Sequence, residues 1–127
     1  MTARQTFTSG QTLTAAQVNG LAEANLAVNS QGTATTYTLA LTDAGKLVTF
    51  SGAATTVTIP TNASVAFAIG DQINIAQLGT AQVTIGTASG VTLQSNGSKT
   101  KTNGQFAVVT CVQYTANTWL LLGNLSA

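Results

Sequence analysis

From residue 35 onward the chain is a series of short runs in which apolar and polar residues alternate, and turn residues separate the runs. In residues 71–78, for example, Ile73 and Ile75 fall on one face of a strand while Gln72 and Asn74 fall on the other. A period of two is typical of strands with one buried face. About eight such runs predict a mainly β fold, an antiparallel sandwich or jelly-roll-like barrel of about eight strands.

Turn signals between the runs predict which strands are neighbours. Short connections that contain Gly or Asn favour hairpins, in which the two flanking strands pair antiparallel. Lysines on a short run deter unwanted sheet pairing, so residues 99–102 are expected to form an exposed edge strand. The hairpins are expected to join residues 71–78 to 82–85, residues 91–93 to 99–102, and residues 106–114 to 119–122.

The stretch from Thr12 to Ser30 has a helical pattern instead. Thr14 and Gln17 match a capping box, and Leu13 is placed for a hydrophobic staple with the first core position of the helix. Later positions follow at heptad-like steps of three and four, one of them a polar residue that can fix register. Two interpretations stay open: a short dimeric or trimeric helix seam, or an amphipathic helix that folds back onto its own sheet. The heptad-like positions are Val18, Leu21, Asn25 and Val28.

The residues before this helix predict an extended arm, because Phe7 is the only large apolar residue between Arg4 and Thr12. An arm and a docking helix at one end of a compact domain suit attachment, since a segment that orders on contact can cover a large surface. We therefore expect residues 1–34 to serve attachment and oligomerisation and residues 35–127 to form the β-domain. The attachment surface is expected to include Phe7, Leu13, Val18, Leu21, Asn25 and Val28.

Charged side chains make up only 6% of the chain, far below the ~25% of an average soluble protein. With so little self-repulsion, copies can pack side by side, and we expect a homo-oligomer. The net charge of +1 leaves no basic stripe for nucleic acid and no polybasic patch for a membrane surface. No apolar run approaches the ~18 residues of a spanning helix. Neither a nucleic acid nor a membrane is expected as a partner.

The residue types that carry most enzyme chemistry are scarce. The chain has no histidine, the usual general base and a common metal ligand. Its three acids, Glu23, Asp43 and Asp71, fit a helix surface and two turns better than a catalytic pair or a calcium site. Cys111 shares the strand parity of Val109, which indicates a buried thiol without an activating base. We expect no enzyme activity, no cofactor and no metal site.

Two aromatic residues near the end of the chain leave two interpretations open. Trp119 and Tyr114 belong to the last predicted hairpin, where they could form an exposed platform for stacking on a sugar. A single Trp before three leucines is more typical of a core anchor.

Two parts of the sequence resemble proteins of tailed bacteriophages. Residues 6–19, TFTSGQTLTAAQVN, resemble the N-terminal attachment segment of many phage accessory proteins. The rest is similar to a β-domain that recurs in tail-fibre, head-fibre and capsid-decoration proteins. The resemblance implies a non-enzymatic virion component, commonly a trimer that is attached by its N-terminal end. The similar stretches of the β-domain are residues 37–39, 43–48, 57–60, 69–75 and 119–125.

Size and organisation favour a capsid decoration (knob) protein, because the chain has neither a long fibrous shaft nor an added receptor-binding domain. On this hypothesis homotrimers lie on the surface of the phage particle, and their N-terminal segments contact the major capsid protein or another virion protein. The alternative is a short tail-fibre or head-fibre module that binds a host surface glycan through Tyr114 and Trp119.

Overall fold

The computed structural model describes residue 15 and residues 27–127. Within these residues the regular structure of residues 27–127 consists of strands and two short 3-10 turns, at Leu41–Asp43 and Asn96–Ser98. The strands are β1 (Val28–Ser30), β2 (Thr36–Thr38), β3 (Leu47–Phe50), β4 (Thr55–Ile59), β5 (Gln72–Gln77), β6 (Val83–Thr87), β7 (Thr92–Ser95), β8 (Lys101–Thr102), β9 (Val108–Thr115), β10 (Thr118–Gly123) and β11 (Leu125–Ser126).

The strands form two sheets that pack as a β-sandwich. The larger sheet has six strands in the order β1-β3-β5-β9-β10-β7, and the smaller has five in the order β11-β8-β6-β4-β2. The predicted mainly β sandwich is therefore confirmed. The expected antiparallel pairing is only partly correct, because both sheets contain parallel and antiparallel pairs.

The first six strands form a coil in which successive strands alternate between the two sheets. The odd-numbered strands β1, β3 and β5 lie side by side and parallel in the larger sheet. The even-numbered strands β2, β4 and β6 do the same in the smaller sheet. Each turn of the coil thus adds one strand to each sheet. The antiparallel strands β9 and β8 then continue the two sheets beside β5 and β6.

Two of the three predicted hairpins are wrong, because their strands belong to different sheets: β5 and β7 lie in the larger sheet, and β6 and β8 in the smaller. The glycine between β5 and β6 marks a corner between the sheets. A Cβ atom at Gly79 would lie 2.7 Å from the carbonyl oxygen of Ser51, and one at Gly52 would lie 2.6 Å from Cα of Thr33. Glycine is needed at these corners for close stacking of successive turns.

The third predicted hairpin is confirmed, since β9 and β10 pair antiparallel along their length. Its two-residue connection is Ala116–Asn117, and Asn117 has a positive φ of 56°, which Asn tolerates better than most residues. The side-chain oxygen of Asn117 also accepts a hydrogen bond from the backbone N–H of Asn62 at 2.8 Å. The hairpin is thereby fixed to the loop that follows β4.

The two ends of the described chain correct two further predictions. Val28–Ser30 is a strand and not the last turn of a helix, because the backbone N–H of Leu47 donates to the carbonyl of Ala27 and pairs the segment with β3. The expected arm and the rest of the predicted helix lie outside the described residues. The lysine-bearing strand β8 is not an edge strand, since β11 covers the side that β6 leaves open.

The core lies between the sheets and follows the predicted strand parity. Ile73 and Ile75 are fully buried, whereas Gln72 is exposed and Asn74 is half-buried. Burying one such aliphatic side chain stabilises the fold by about 1.5–3 kcal/mol. The buried apolar cluster comprises Leu39, Val48, Phe50, Val57, Ile59, Phe67, Ile73, Ile75, Val83, Ile85, Val109, Cys111, Trp119 and Leu121.

Candidate interaction surface

The outer face of the larger sheet carries an unusual number of apolar side chains where β9 and β10 meet. Val109, Cys111 and Gln113 of β9 are fully buried in the sandwich, so the residues between them point away from the core. The same alternation in β10 buries Trp119 and Leu121. The residues left on the outer face are Val108, Thr110, Val112, Tyr114, Leu120 and Leu122.

Five of these residues form what we call the apolar face: Val108, Val112, Tyr114, Leu120 and Leu122. Four of them are well exposed, Val108 at 44%, Leu120 at 43%, Leu122 at 46% and Tyr114 at 47%. Val112 is half-buried and pairs directly with Leu120 across the hairpin. Single exposed apolar residues are common on protein surfaces, but a contiguous group marks a candidate interaction site.

The strand registers extend the apolar face into two rows across the sheet. One row runs from β1 to β10, and the other runs from β5 to β7. Neutral polar residues of these rows therefore lie beside residues of the apolar face on the same surface. The first row is Val28, Leu47, Asn74, Thr110 and Leu122. The second row is Gln72, Val112, Leu120 and Gln94.

Hydrogen bonds orient the polar groups of this surface. The Tyr114 hydroxyl donates to the side-chain oxygen of Gln94, which lies two strands away in β7. The Thr110 hydroxyl donates to the side-chain oxygen of Asn74 at 2.7 Å. Tyr114 is thus held across the sheet, so its ring forms part of a defined surface.

The surface contains no Lys, Arg, Asp or Glu among the residues of its rows. Both described acids are buried elsewhere, Asp43 at 1% and Asp71 at 6% exposure. An oxygen of Asp71 accepts from the backbone N–H of Ala68 at 2.9 Å, as expected for a carboxylate that shapes the turn before a strand. A partner that contacts these two rows therefore meets neutral groups only.

Asp43 forms the most connected polar cluster near β1 and β2. Its carboxylate accepts from the Asn29 side-chain amide at 2.8 Å, from the Tyr37 hydroxyl at 2.6 Å and from the backbone N–H of Ala40 at 2.8 Å. Burial, together with the hydrogen bond to Asp43 and its negative charge, raises the pKa of Tyr37 from 10.0 to about 12. The cluster joins β1 to the 3-10 turn, so the turn role predicted for Asp43 is confirmed.

Phe106 is an exposed aromatic residue in the turn before β9. Its side chain is 70% exposed, and its φ of 68° lies in the left-handed region that a bulky residue seldom adopts. The conformation is fixed by the backbone N–H of Phe106, which donates to the carbonyl of Gln77 at 2.6 Å. Phe106 thus presents an exposed ring on a strained backbone, two residues before Val108 of the apolar face.

Trp119 and Tyr114 do not form the joint ligand platform that the sequence allowed. Trp119 is fully buried, and its ring meets the ring of Phe67 edge to face, with centroids 5.2 Å apart. Tyr114 lies on the opposite, outer side of the sheet. The exposed role of Trp119 is therefore wrong, because strand alternation points its side chain into the core, and the interpretation as a core anchor is confirmed.

The predicted attachment residues are only partly within the described chain. Val28 lies on the outer face of β1, where it is 64% exposed and pairs with Leu47. It lies on the same outer face as the apolar face, but at the β1 edge of the sheet. The remaining members, Phe7, Leu13, Val18, Leu21 and Asn25, lie outside the described residues.

The groups that could carry covalent or metal chemistry are buried or scattered. Burial raises the pKa of the Cys111 thiol to about 12, so the thiol stays protonated at neutral pH and is a poor nucleophile. Among residue 15 and residues 27–127, no three His, Cys, Asp or Glu side chains are grouped so that they could hold a metal ion. The same residues contain no helix that is long and apolar enough to cross a membrane.

Sequence reasoning missed the apolar face, although a signal for it was present. The parity that places Cys111 beside Val109 in the core leaves Val108, Thr110 and Val112 on the opposite side of the strand. The signal is that β9 and β10 carry large apolar residues on both parities, whereas a sheet with one solvent face has polar residues on one of them. Apolar residues on both parities are typical of strands that are covered on both faces.

No protein-family model matches this chain, and no curated protein matches it.

Proposed function

We propose that this chain is a non-enzymatic structural protein of a tailed-phage virion, a capsid decoration protein that forms homotrimers on the surface of the particle. The observation that carries the proposal is the uncharged apolar face on a sandwich that is otherwise well packed. Burial of such a surface against a protein partner lowers the free energy of the complex. It offers no groups that would transfer protons or bind an ion.

The ionisable groups of the described residues support a structural role. Asp43 and Asp71 are buried and hold turns through hydrogen bonds. Cys111 is buried with a raised pKa. Catalytic groups usually lie in a cleft with a pKa suited to proton transfer near neutral pH. These three residues are engaged in stabilising the fold.

The place where the N-terminal segment joins the sandwich supports attachment through that segment. Residues 1–26 lead into β1, which is an edge strand of the larger sheet. The resemblance of residues 6–19 to phage attachment segments makes the major capsid protein, or another virion protein, the proposed partner. The sandwich would then lie outward from the shell.

Binding to particles that lack this protein tests the proposed function. The full chain should bind saturably to such particles, whereas a chain without residues 2–26 should not. The deletion must end at residue 26, because removing residues 27–30 also removes β1 and the hydrogen bonds of Asn29 to the Asp43 cluster. Thermal unfolding of the shortened chain serves as the control for its fold.

Two results would count against the proposal: no binding by the full chain, or equal binding by the full and shortened chains. The alternative is adsorption to a host glycan. Of the two residues predicted to bind the glycan, only Tyr114 is exposed. A Tyr114→Ala variant that lost adsorption to cells while it still bound particles would favour that alternative.

A further inference from the structure

We infer that the apolar face of Val108, Val112, Tyr114, Leu120 and Leu122 is the surface through which copies of this chain contact one another. The inference rests on the proposed homotrimer, and it names the surface of the sandwich that holds the copies together. The occupant of the face is a second copy of the chain.

Charge is the first argument for a second copy. The described cations do not belong to the two rows of this surface. Lys46 precedes β3, Lys99 precedes β8 of the smaller sheet, and Lys101 is the first residue of β8. Contact between two such faces therefore brings no like charges together and buries no ion. A strongly acidic or basic partner would find no complementary charge here, whereas another copy presents the same neutral surface.

The polar residues around the apolar face suit contact between identical surfaces. Asn74, Gln72 and Gln94 carry side-chain amides, and each amide both donates and accepts hydrogen bonds. Around a three-fold axis one part of this surface meets a different part of the same surface on the next copy, so groups that both donate and accept can pair whichever neutral group they meet. An apolar centre within a neutral polar rim is also the usual anatomy of a protein interface.

The size of the surface is the third argument. Six strands at ~4.8 Å spacing, with an average length of about five residues at ~3.3 Å, give a projected area of about 500 Å². The accessible area of a corrugated side-chain surface is larger than its projection. A stable interface buries about 800 Å² on each partner. The outer face of the larger sheet therefore supplies an area of the right order.

The border of the surface is the fourth argument. Val28 of β1 lies on the same outer face as Leu122, at the other end of one row. Residues 1–26 therefore enter the sandwich at the edge of the contact surface. In an assembly joined through this surface, the N-terminal segment of every copy would therefore begin at the same edge of the contact. Several segments could then attach to a particle at once.

Charge-insertion variants of the full chain test the inference. Leu120→Lys and Leu122→Lys each place a cation at the centre of the face, and Thr56→Lys is the matched control. Thr56 is exposed on β4, a strand of the smaller sheet. Light scattering after size-exclusion chromatography gives the mass of each oligomer. We expect roughly 30-fold or greater weakening of association for the two face variants, no change for Thr56→Lys, and none for Leu120→Met, which keeps the position apolar.

Thermal unfolding monitored in parallel separates a loss of contact from a loss of fold. The inference is supported if the two face variants dissociate with melting temperatures close to that of Thr56→Lys. Oligomers that persist in both face variants would overturn it. A wild-type chain that is monomeric until residues 2–26 are deleted would also overturn it, since the face would then be covered by its own N-terminal segment. Binding to particles is measured separately, so failure of this inference and failure of the proposed function are distinguishable.

Discussion

At the scale of single residues, the few ionisable groups of this protein stabilise turns. Asp43 is the clearest case, because one buried carboxylate receives hydrogen bonds from Asn29 of β1, from Tyr37 of β2 and from the backbone of its own turn. A buried charge is tolerated only when hydrogen bonds replace its lost hydration. The three donors meet that condition. Their hydrogen bonds also connect β1, β2 and the 3-10 turn through one carboxylate.

The Asp43 cluster predicts an altered titration of Tyr37. In a Tyr114→Phe background Tyr37 is the only tyrosine, and its absorbance change should report a pKa near 12. Asp43→Asn should move this pKa part of the way back toward 10.0, because burial, the largest cause of the shift, remains. A pKa unchanged by Asp43→Asn would show that the carboxylate does not act on the phenol.

The raised pKa of Tyr37 also fixes the direction of a pH effect on stability. The folded state holds the phenolic proton more tightly than the unfolded state, so the contribution of Tyr37 to stability is full below pH 10. It is lost as the pH rises from 10.0 to about 12. Comparing wild type with Tyr37→Phe over this window separates Tyr37 from other groups that titrate there, Cys111 among them.

At the scale of strands and turns, the glycines at the corners of the coil have a steric role that can be measured. Gly79→Ala should lower the free energy of unfolding by about 1–3 kcal/mol, as expected for overpacking against a rigid neighbour, because the new Cβ would lie 2.7 Å from the Ser51 carbonyl oxygen. Gly104→Ala is the matched control, since a Cβ there has no neighbour within 4 Å. Urea unfolding measures both variants, and equal stabilities would contradict close stacking of the corners.

The strands were predictable from sequence, but their assignment to sheets was not. Alternation located β5 and β9 and placed Ile73 and Cys111 in the core, because the period of two is a local property of the chain. A glycine-containing connection such as the one at Gly79 gives the same signal whether the chain folds back within one sheet or turns into the other. The local pattern does not contain the close approach of Gly79 to Ser51, which is far away in the sequence.

The same limit applies to β1 and to the candidate site. Val28 continues the heptad-like spacing of the preceding residues, yet pairing with Leu47 makes it a strand residue, and no local pattern contains that contact. Leu120 and Leu122 were visible as apolar residues of a strand. Their exposure follows from the burial of Trp119 and Leu121 on the other parity, which the run of three leucines left ambiguous.

At the scale of the whole molecule, low charge and an exposed apolar face have a common consequence. Both described acids are buried, and none of the three described lysines belongs to the two rows of the candidate contact surface. Repulsion between copies is weak, and their attraction through this surface is hydrophobic. Assembly is therefore expected to follow apolar burial, with surface charge contributing little.

Ionic strength provides the test of this balance. Raising sodium chloride from about 0.1 M to about 1 M shortens the Debye length from ~10 Å to ~3 Å, which weakens contacts between exposed charges. The homo-oligomer should keep its mass over this range, because the proposed interface contains no ion pair to screen, while cooling should weaken it as hydrophobic association weakens. Sedimentation velocity at several protein concentrations measures both effects. Dissociation by salt alone would place the contact on charged residues such as Lys99 and Lys101, away from the apolar face.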